Sequence, residues 1–168
     1  MANAAQLIEK LKLEPHQEGG YFRRIFQADH RPLINTDDGE RFSMTSIHYM
    51  LTADQPIGNF HKNKSDIMHV FNGGEALTYY LIHPDGKLET KALGNNVFNN
   101  QEIQFVCKGG TWKATELQLK ENAQYDYGLL TEVVVPDFDY ADSELANAQQ
   151  LEKLFPQHKE LIGRLCFS

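Results

Sequence analysis

Between residues 20 and 136, turn-forming clusters cut the chain at short intervals: Asp37-Asp38-Gly39, Asn72-Gly73-Gly74, Pro84-Asp85-Gly86, Gly94-Asn95-Asn96 and Lys108-Gly109-Gly110. Glycine reaches positive φ without a steric penalty and Asn or Asp tolerates it, so each cluster can reverse the backbone. The runs between them are short and rich in β-branched and aromatic residues, which suits strands and is too short for helices. Strands are expected over 21–27, 43–51, 67–71, 76–83, 104–106, 111–119 and 128–135. Seven or more short antiparallel strands bury their apolar sides best as two facing sheets, so the expected fold class is all-β, a double-sheet barrel with flanking helices.

Both ends of the chain have a different texture. Ala4, Leu7, Ile8 and Leu11 recur at three- and four-residue steps, the spacing of an amphipathic helix that stops before Pro15. After Pro136 a helical period returns through Leu145, Ala148, Leu151, Leu154 and Phe155, with Asp142 or Ser143 available as N-cap. A second short helix is expected beyond Pro156 through Leu161, Ile162 and Leu165. The N- and C-terminal helices are expected to pack outside the barrel. No repeat or Pro/Gly/Ser-rich linker interrupts the chain, so residues 1–168 read as a single domain, with a barrel core over about 20–136 and a C-terminal helical segment over about 141–166.

Charge narrows the partners. Sixteen Lys and Arg stand against 23 Asp and Glu, a formal net charge of −7, and no basic cluster exists, which argues against nucleic acid and against an anionic membrane surface. Glu9, Lys10 and Lys12 interrupt the stretch where a signal peptide needs an apolar core, and no long apolar run follows, so a cytoplasmic protein is expected. Cys107 and Cys166 offer neither a disulfide framework nor zinc spacing and are expected as small buried hydrophobes.

Seven histidines are the first candidates for chemistry, because imidazole binds metals and titrates near neutrality. His16, His30, His83 and His158 sit beside turn or charged residues and are expected in solvent. His61 and His69 lie in two strand-like segments joined by Lys62-Asn63-Lys64-Ser65, expected as a hairpin that brings them face to face. Period-two alternation places Asn59 with His61 on one face, and Ile67, His69 and Phe71 on one face of the next strand. His48, between Ile47 and Tyr49, is expected to face outward. Lys113 follows the Gly109-Gly110 turn beside Trp112, and matters chemically only if it points inward, where burial alters its proton affinity. Arg23 and Arg24 must face opposite sides of one strand, so one can hold an anionic ligand while the other binds at the surface.

These segments resemble the cupin superfamily and, more closely, its small DUF985 (cupin-5) group. The resemblance rests on motifs in order along nearly the whole chain: Glu14-Pro15-His16-Gln17-Glu18-Gly19-Gly20-Tyr21, His61-Lys62-Asn63-Lys64-Ser65-Asp66-Ile67-Met68-His69, Leu81-Ile82-His83-Pro84-Asp85-Gly86, Gly109-Gly110-Thr111-Trp112-Lys113 and Val135-Pro136-Asp137-Phe138-Asp139-Tyr140. It implies a cupin jelly-roll barrel, a double-stranded β-helix, around a ligand cavity, and a homodimer. Metal-binding cupins carry a His-x-His pair, a Glu before a glycine turn and a further His. Here Asn59 stands at the first His, His61 keeps the second, Asp66 or Ile67 falls at the Glu, and Lys113 stands at the last His. With Ile67 at the Glu position no metal or other cofactor is implied; with Asp66 there, His61, Asp66 and His69 form a weak site for Fe, Mn, Ni or Zn.

The implied function is a small-molecule-binding cupin. By similarity to deoxysugar-nucleotide epimerases it is a metal-independent isomerase or epimerase acting on a carbonyl-bearing or sugar-nucleotide-like ligand. His61 or His69 is then the general base, Lys113 steadies the enolate oxygen, and Tyr21 or Tyr49 returns a proton. Asn59, Arg23, Asp66, Phe71 and Trp112 are expected to contact the ligand. Arg23, His61, His69 and Lys113 would make the interior locally basic. A metal-dependent oxygenase or isomerase and a non-catalytic sensing barrel are the alternatives.

Overall fold

A computed structural model describes residues 2–167, so the two end residues of the expected 1–168 unit lie outside the described residues. Two antiparallel sheets face one another. The larger runs in the order β1 (Glu14–Pro15), β2 (Tyr21–Gln27), β5 (Thr45–Thr52), β12 (Tyr127–Val135), β7 (Asp66–Gly74) and β10 (Gln104–Cys107). The smaller runs β13 (Ser143–Leu145), β6 (Ile57–Asn63), β11 (Trp112–Leu117), β8 (Leu77–Ile82) and β9 (Leu88–Leu93). A separate hairpin joins β3 (Ile34–Thr36) to β4 (Gly39–Arg41).

The core between the sheets follows from strand alternation. Tyr49 and Leu51 of β5, Leu77, Tyr79 and Leu81 of β8, Phe105 and Cys107 of β10 and Leu130 of β12 fill it. Intervening residues point away: Phe60, Ile82, Trp112 and Ala114 leave the smaller sheet on its far side, where α2 (Ala148–Leu154) and α3 (Lys159–Leu165) cover them with Leu151, Ile162 and Leu165. Each of those three helix side chains is fully buried, worth roughly 1.5–3 kcal/mol apiece. Helix α1 (Ala4–Leu11), opened by a reciprocal capping box between Asn3 and Gln6, covers Met50 and Tyr127 on the outside of the larger sheet. Both ends therefore pack outside the barrel, and Cys107 and Cys166 are buried free thiols.

Three elements differ from expectation. The turn at 62–65 is a corner and not a hairpin, since β6 pairs with β11 and β13 while β7 pairs with β12 and β10. His61 and His69 therefore face the interior from opposite sheets. Residues 143–145 extend β6 as strand β13, and the helix starts later, with Asn147 as N-cap in place of Asp142 or Ser143. Strand β9 alternates too weakly to stand out; it is an edge strand whose Glu89 and Lys91 pair with each other.

Candidate functional site

The site begins with a backbone contact. Asn59 of β6 donates to the Glu18 carbonyl from both its amide N–H (2.6 Å) and its side-chain Nδ2 (3.0 Å), and the Tyr49 hydroxyl donates to the Gly19 carbonyl at 2.8 Å. This lays residues 16–20 across the end of the smaller sheet. Only glycine permits it at position 19, where φ is +102° and a Cβ would lie 2.1 Å from the Ile57 carbonyl oxygen. The Glu18 side chain then turns inward, its Oε2 3.2 Å from His61 Nε2 and 3.5 Å from His16 Nδ1. His16 Nδ1 in turn accepts the Glu18 backbone N–H at 3.1 Å.

A second cluster lies deeper. Lys113 Nζ, from β11, donates to His69 Nε2 of β7 at 2.8 Å and to Glu132 Oε1 of β12 at 3.1 Å, and those two acceptors are 3.2 Å apart. His69 is fully buried, stacked on Phe105 with ring centroids 4.7 Å apart and set against the edge of Tyr79. Its Nδ1 has no hydrogen-bond partner.

Burial raises both carboxyls, and the nearness of Lys113 to Glu132 drives them apart. Glu18 is pushed from 4.5 up to about 8, because desolvation outweighs the pull of Lys113. Burial acts on Glu132 in the same direction, but Lys113 and His69 overcome it and hold this carboxyl well below its ordinary value. Burial first, and Lys113 second, lower His61 to about 3 and His69 to about 4. At neutral pH the interior thus contains a protonated Glu18, neutral imidazoles and one ion pair, not a basic lining. His61 Nδ1 lies 2.7 Å from the Asn59 carbonyl, an acceptor, which assigns the proton to Nδ1 and leaves the Nε2 lone pair for Glu18.

A cavity of about 40 Å³ opens onto these groups. Glu18, His61 and Glu132 stand at its floor, Ile47, Ile67 and Val134 form apolar wall, and Arg24, Phe138 and Tyr140 form the mouth. The segment 136–142 crosses that mouth. It is pinned by Asp142, whose carboxylate takes two hydrogen bonds from Arg41 at 2.7 and 3.0 Å, and whose carbonyl accepts the Lys64 N–H.

Of the residues singled out from the sequence, Asn59, His61, His69 and Lys113 face the interior as alternation requires. Tyr49 is buried but holds the Gly19 carbonyl, and Phe71 packs against the core. The others do not reach the cavity. The Tyr21 hydroxyl donates to Asp54 at the surface. Arg23 is exposed on the far side of its strand and donates to the Leu11 carbonyl. Trp112 faces the C-terminal helices, with Lys62 Nζ 4.5 Å above its ring. Asp66 is exposed and accepts the Gly109 N–H at 2.8 Å, the ordinary work of a turn carboxylate. His48 does face opposite to Ile47 and Tyr49, half-buried beside Arg23.

Three residues of the site were not expected there. His16, read as a solvent residue, is buried against Phe22 and Tyr49. Glu18 was part of a noticed motif, but nothing local says that its side chain turns inward. Glu132 had a signal: it is the only charge in 128–135, at the same parity as Leu130 and Val134. Ile67, not Asp66, points inward, so His61, Asp66 and His69 do not converge, and Lys113 Nζ takes the place between His69 and Glu132 where a cation would sit. That donor set does not fit a divalent metal, and among the described residues no three His, Cys, Asp or Glu side chains are placed so that they could hold one.

Two facing antiparallel sheets with a polar interior opening at one end define a jelly-roll of the cupin class. The model of the Cupin superfamily (DUF985) family matches residues 5–146, and the chain belongs to that family. It is 37% identical to the uncharacterized protein YML079W of Saccharomyces cerevisiae, over 94% of this chain and 79% of that protein. Among solved structures, a hypothetical protein from Leishmania major superposes with a TM-score of 0.92 at 25% identity, over 99% of this chain and 100% of the other. Protein SO0799 from Shewanella oneidensis gives 0.87 at 29% identity, over 99% of both chains. Oxalate decarboxylase from Bacillus subtilis shares the fold at a TM-score of 0.54 and 15% identity, over 90% of this chain and 36% of its own.

Proposed function

We propose that the protein is a metal-independent isomerase or epimerase that binds a small carbonyl-bearing molecule in this cavity and moves a proton on it. The observation that carries the reading is the Glu18–His61 pair at the cavity, Oε2 3.2 Å from Nε2, in which burial keeps the carboxyl protonated and the imidazole neutral at neutral pH. Environments that push two titrating groups apart are how an acid and a base coexist at one pH. Glu18 gives its proton to the ligand's carbonyl oxygen as His61 Nε2 takes one from the adjacent carbon. The enol or enediol that results takes a proton from the imidazolium at the same carbon or, in an enediol, at its neighbour, and the Glu18 carboxylate recovers a proton from the hydroxyl. His61 alone is a weak base, but the carboxylate left on Glu18 lies 3.2 Å away and stabilises the imidazolium as it forms. Lys113 moves from the catalytic role expected of it to a positioning one, since it holds Glu132 ionised, and so does His69, whose Nε2 accepts from Lys113 and fixes it there.

The test is proton exchange in D₂O on a panel of hydroxyaldehydes, hydroxyketones and 2-oxo acids, followed by loss of the α-proton NMR signal. Exchange is expected to survive dialysis against a chelator and to fall above pH about 8, where Glu18 loses its proton. Glu18→Gln and His61→Asn should each slow it by roughly 100-fold or more. Unchanged exchange in Glu18→Gln overturns the assignment, and saturable binding with no exchange by the parent makes the protein a sensing barrel. We also propose a homodimer, supported by the exposed Met68, Val106 and Val135 on the outer face of the larger sheet. Sedimentation at the monomer mass sinks it.

A further inference from the structure

Arg24 is the charged residue at the cavity that the proton-transfer reading leaves unused. It stands on β2 at the same parity as Phe22, facing between the sheets, while Arg23 turns outward. Its cross-strand row continues through Ile47 and Glu132 to His69. Arg24 is thus two strands, about 10 Å of sheet, from Glu132. The register of β2 shifts between Arg24 and Phe26, which ends the inward row and leaves Arg24 exposed at the rim.

Its guanidinium has only one partner, the Gln27 Oε1 at 2.8 Å. Among the described residues no carboxylate lies within 4.0 Å of it, whereas Arg41, Lys113 and Arg164 each hold one. Arg23 and Arg31 also lack a carboxylate, but neither lines the cavity. Beside Arg24 the mouth is aromatic, with Phe138 and Tyr140 edge to face at 5.1 Å, and the wall below is aliphatic down to Glu18 and His61. The cavity therefore runs from an uncompensated cation, past apolar surface, to neutral hydrogen-bonding groups. An anion at the floor would face the ionised Glu132; at the mouth it meets a planar fork of donors suited to carboxylate or phosphate.

We propose that the ligand is a small organic anion with an apolar body, a carboxylate or organic phosphate whose carbonyl stands at the end remote from the charge, and that its anionic group pairs with Arg24 at the mouth. Its body lies along Ile47 and Phe138, and its carbonyl end reaches Glu18 and His61. The last clause rests on the proton-transfer reading; the Arg24 contact does not.

The experiment titrates 4-(2-oxopropyl)benzoate, 4-(2-oxopropyl)phenyl phosphate and the neutral phenylacetone, which share one body and one ketone, into the full chain, followed by the NMR signals of Tyr140 and the His61 ring. At least one anion is expected to bind saturably, and phenylacetone to bind roughly 10- to 100-fold more weakly. Arg24→Met should bring the anions to the phenylacetone level, while Arg23→Met leaves them unchanged. Which anion binds tighter identifies the group. Equal affinity for anions and phenylacetone, no effect of Arg24→Met, an equal effect of Arg23→Met, or no saturable binding by any of the three overturns the proposal. Glu18→Gln should lose proton exchange, and Arg24→Met in that background should still weaken anion binding. If Glu18→Gln keeps exchange, the proton-transfer reading fails and Arg24 stands; if Arg24→Met keeps affinity while Glu18→Gln loses exchange, the reverse holds.

Discussion

Lys113, His69 and Glu132 are more useful to one another than any is alone. Removing Lys113 leaves a buried carboxylate with no cation, and breaking a buried pair from one side costs about 3–5 kcal/mol. Lys113→Met should therefore lower the unfolding free energy by about that amount in urea titrations. The double variant Lys113→Met/Glu132→Gln should recover most of the loss, because no charge is then stranded. Equal stability of the single and double variants would show that the ion pair is not what the site needs. At this scale the sequence was half legible. Alternation from Asn59 to His61 and from Ile67 to His69 set the inward side chains correctly, because period two is a property of the strand itself. It was silent on Glu18 and His16, whose side chains are turned inward by a loop that follows no period and is held by Asn59 and Tyr49 from other strands.

Among the elements, the segment 136–142 decides access to the cavity. Its Asp137 and Phe138 N–H groups donate to the Phe42 carbonyl and Thr45 Oγ1, and its far end is held at Asp142, whose carboxyl Arg41 keeps below the ordinary Asp value through paired hydrogen bonds. Asp142→Asn should speed amide exchange at Asp142 and Lys64, whose backbone groups meet there, by tenfold or more, while Leu130 in the core keeps its protection. Uniform acceleration across both regions would instead mean that the segment is part of the global fold. Strand β2 falls where its run of aromatic and β-branched residues ends. The corner at 62–65 could not be read, because a polar turn has the same composition whether the next strand pairs with the last or crosses to the other sheet. Residues 143–145 misled for a related reason: a three-residue edge strand cannot display a period, and the helical spacing beyond it extends backward over Leu145.

For the whole molecule, the buried groups set a stability profile against pH. His61 and His69 titrate far below 6.5 in the fold, so below about 6.5 the unfolded chain binds protons that the native one refuses, and stability falls as pH drops. Glu132, held low, adds to that loss as pH falls through the acid range. Glu18 works the other way: unfolded, it ionises above 4.5, but folded it keeps its proton to about 8, so stability falls as pH rises across that interval. Between 4.5 and 6.5 two imidazoles oppose one carboxyl and stability still climbs with pH; above 6.5 only the carboxyl remains. The unfolding free energy from urea titrations should peak near pH 6.5 and decline on both sides, by about 1.4 kcal/mol per pH unit for each net proton in play. Glu18→Gln should abolish the decline above pH 6.5 and steepen the rise between 4.5 and 6.5, and a parent-like decline in that variant would remove Glu18 as its cause.

Glu18, the acid of the proposed reaction, arrives on residues 16–20, a segment between the first two strands at the rim of the larger sheet that is moored by Asn59 and Tyr49. Nothing in the interlocking middle of the barrel depends on what side chain that segment delivers. Vessel and reagent are thus separable inheritances: a descendant can exchange Glu18 for a thiol, an amide or a second imidazole and acquire different chemistry while every wall of the container stays in place.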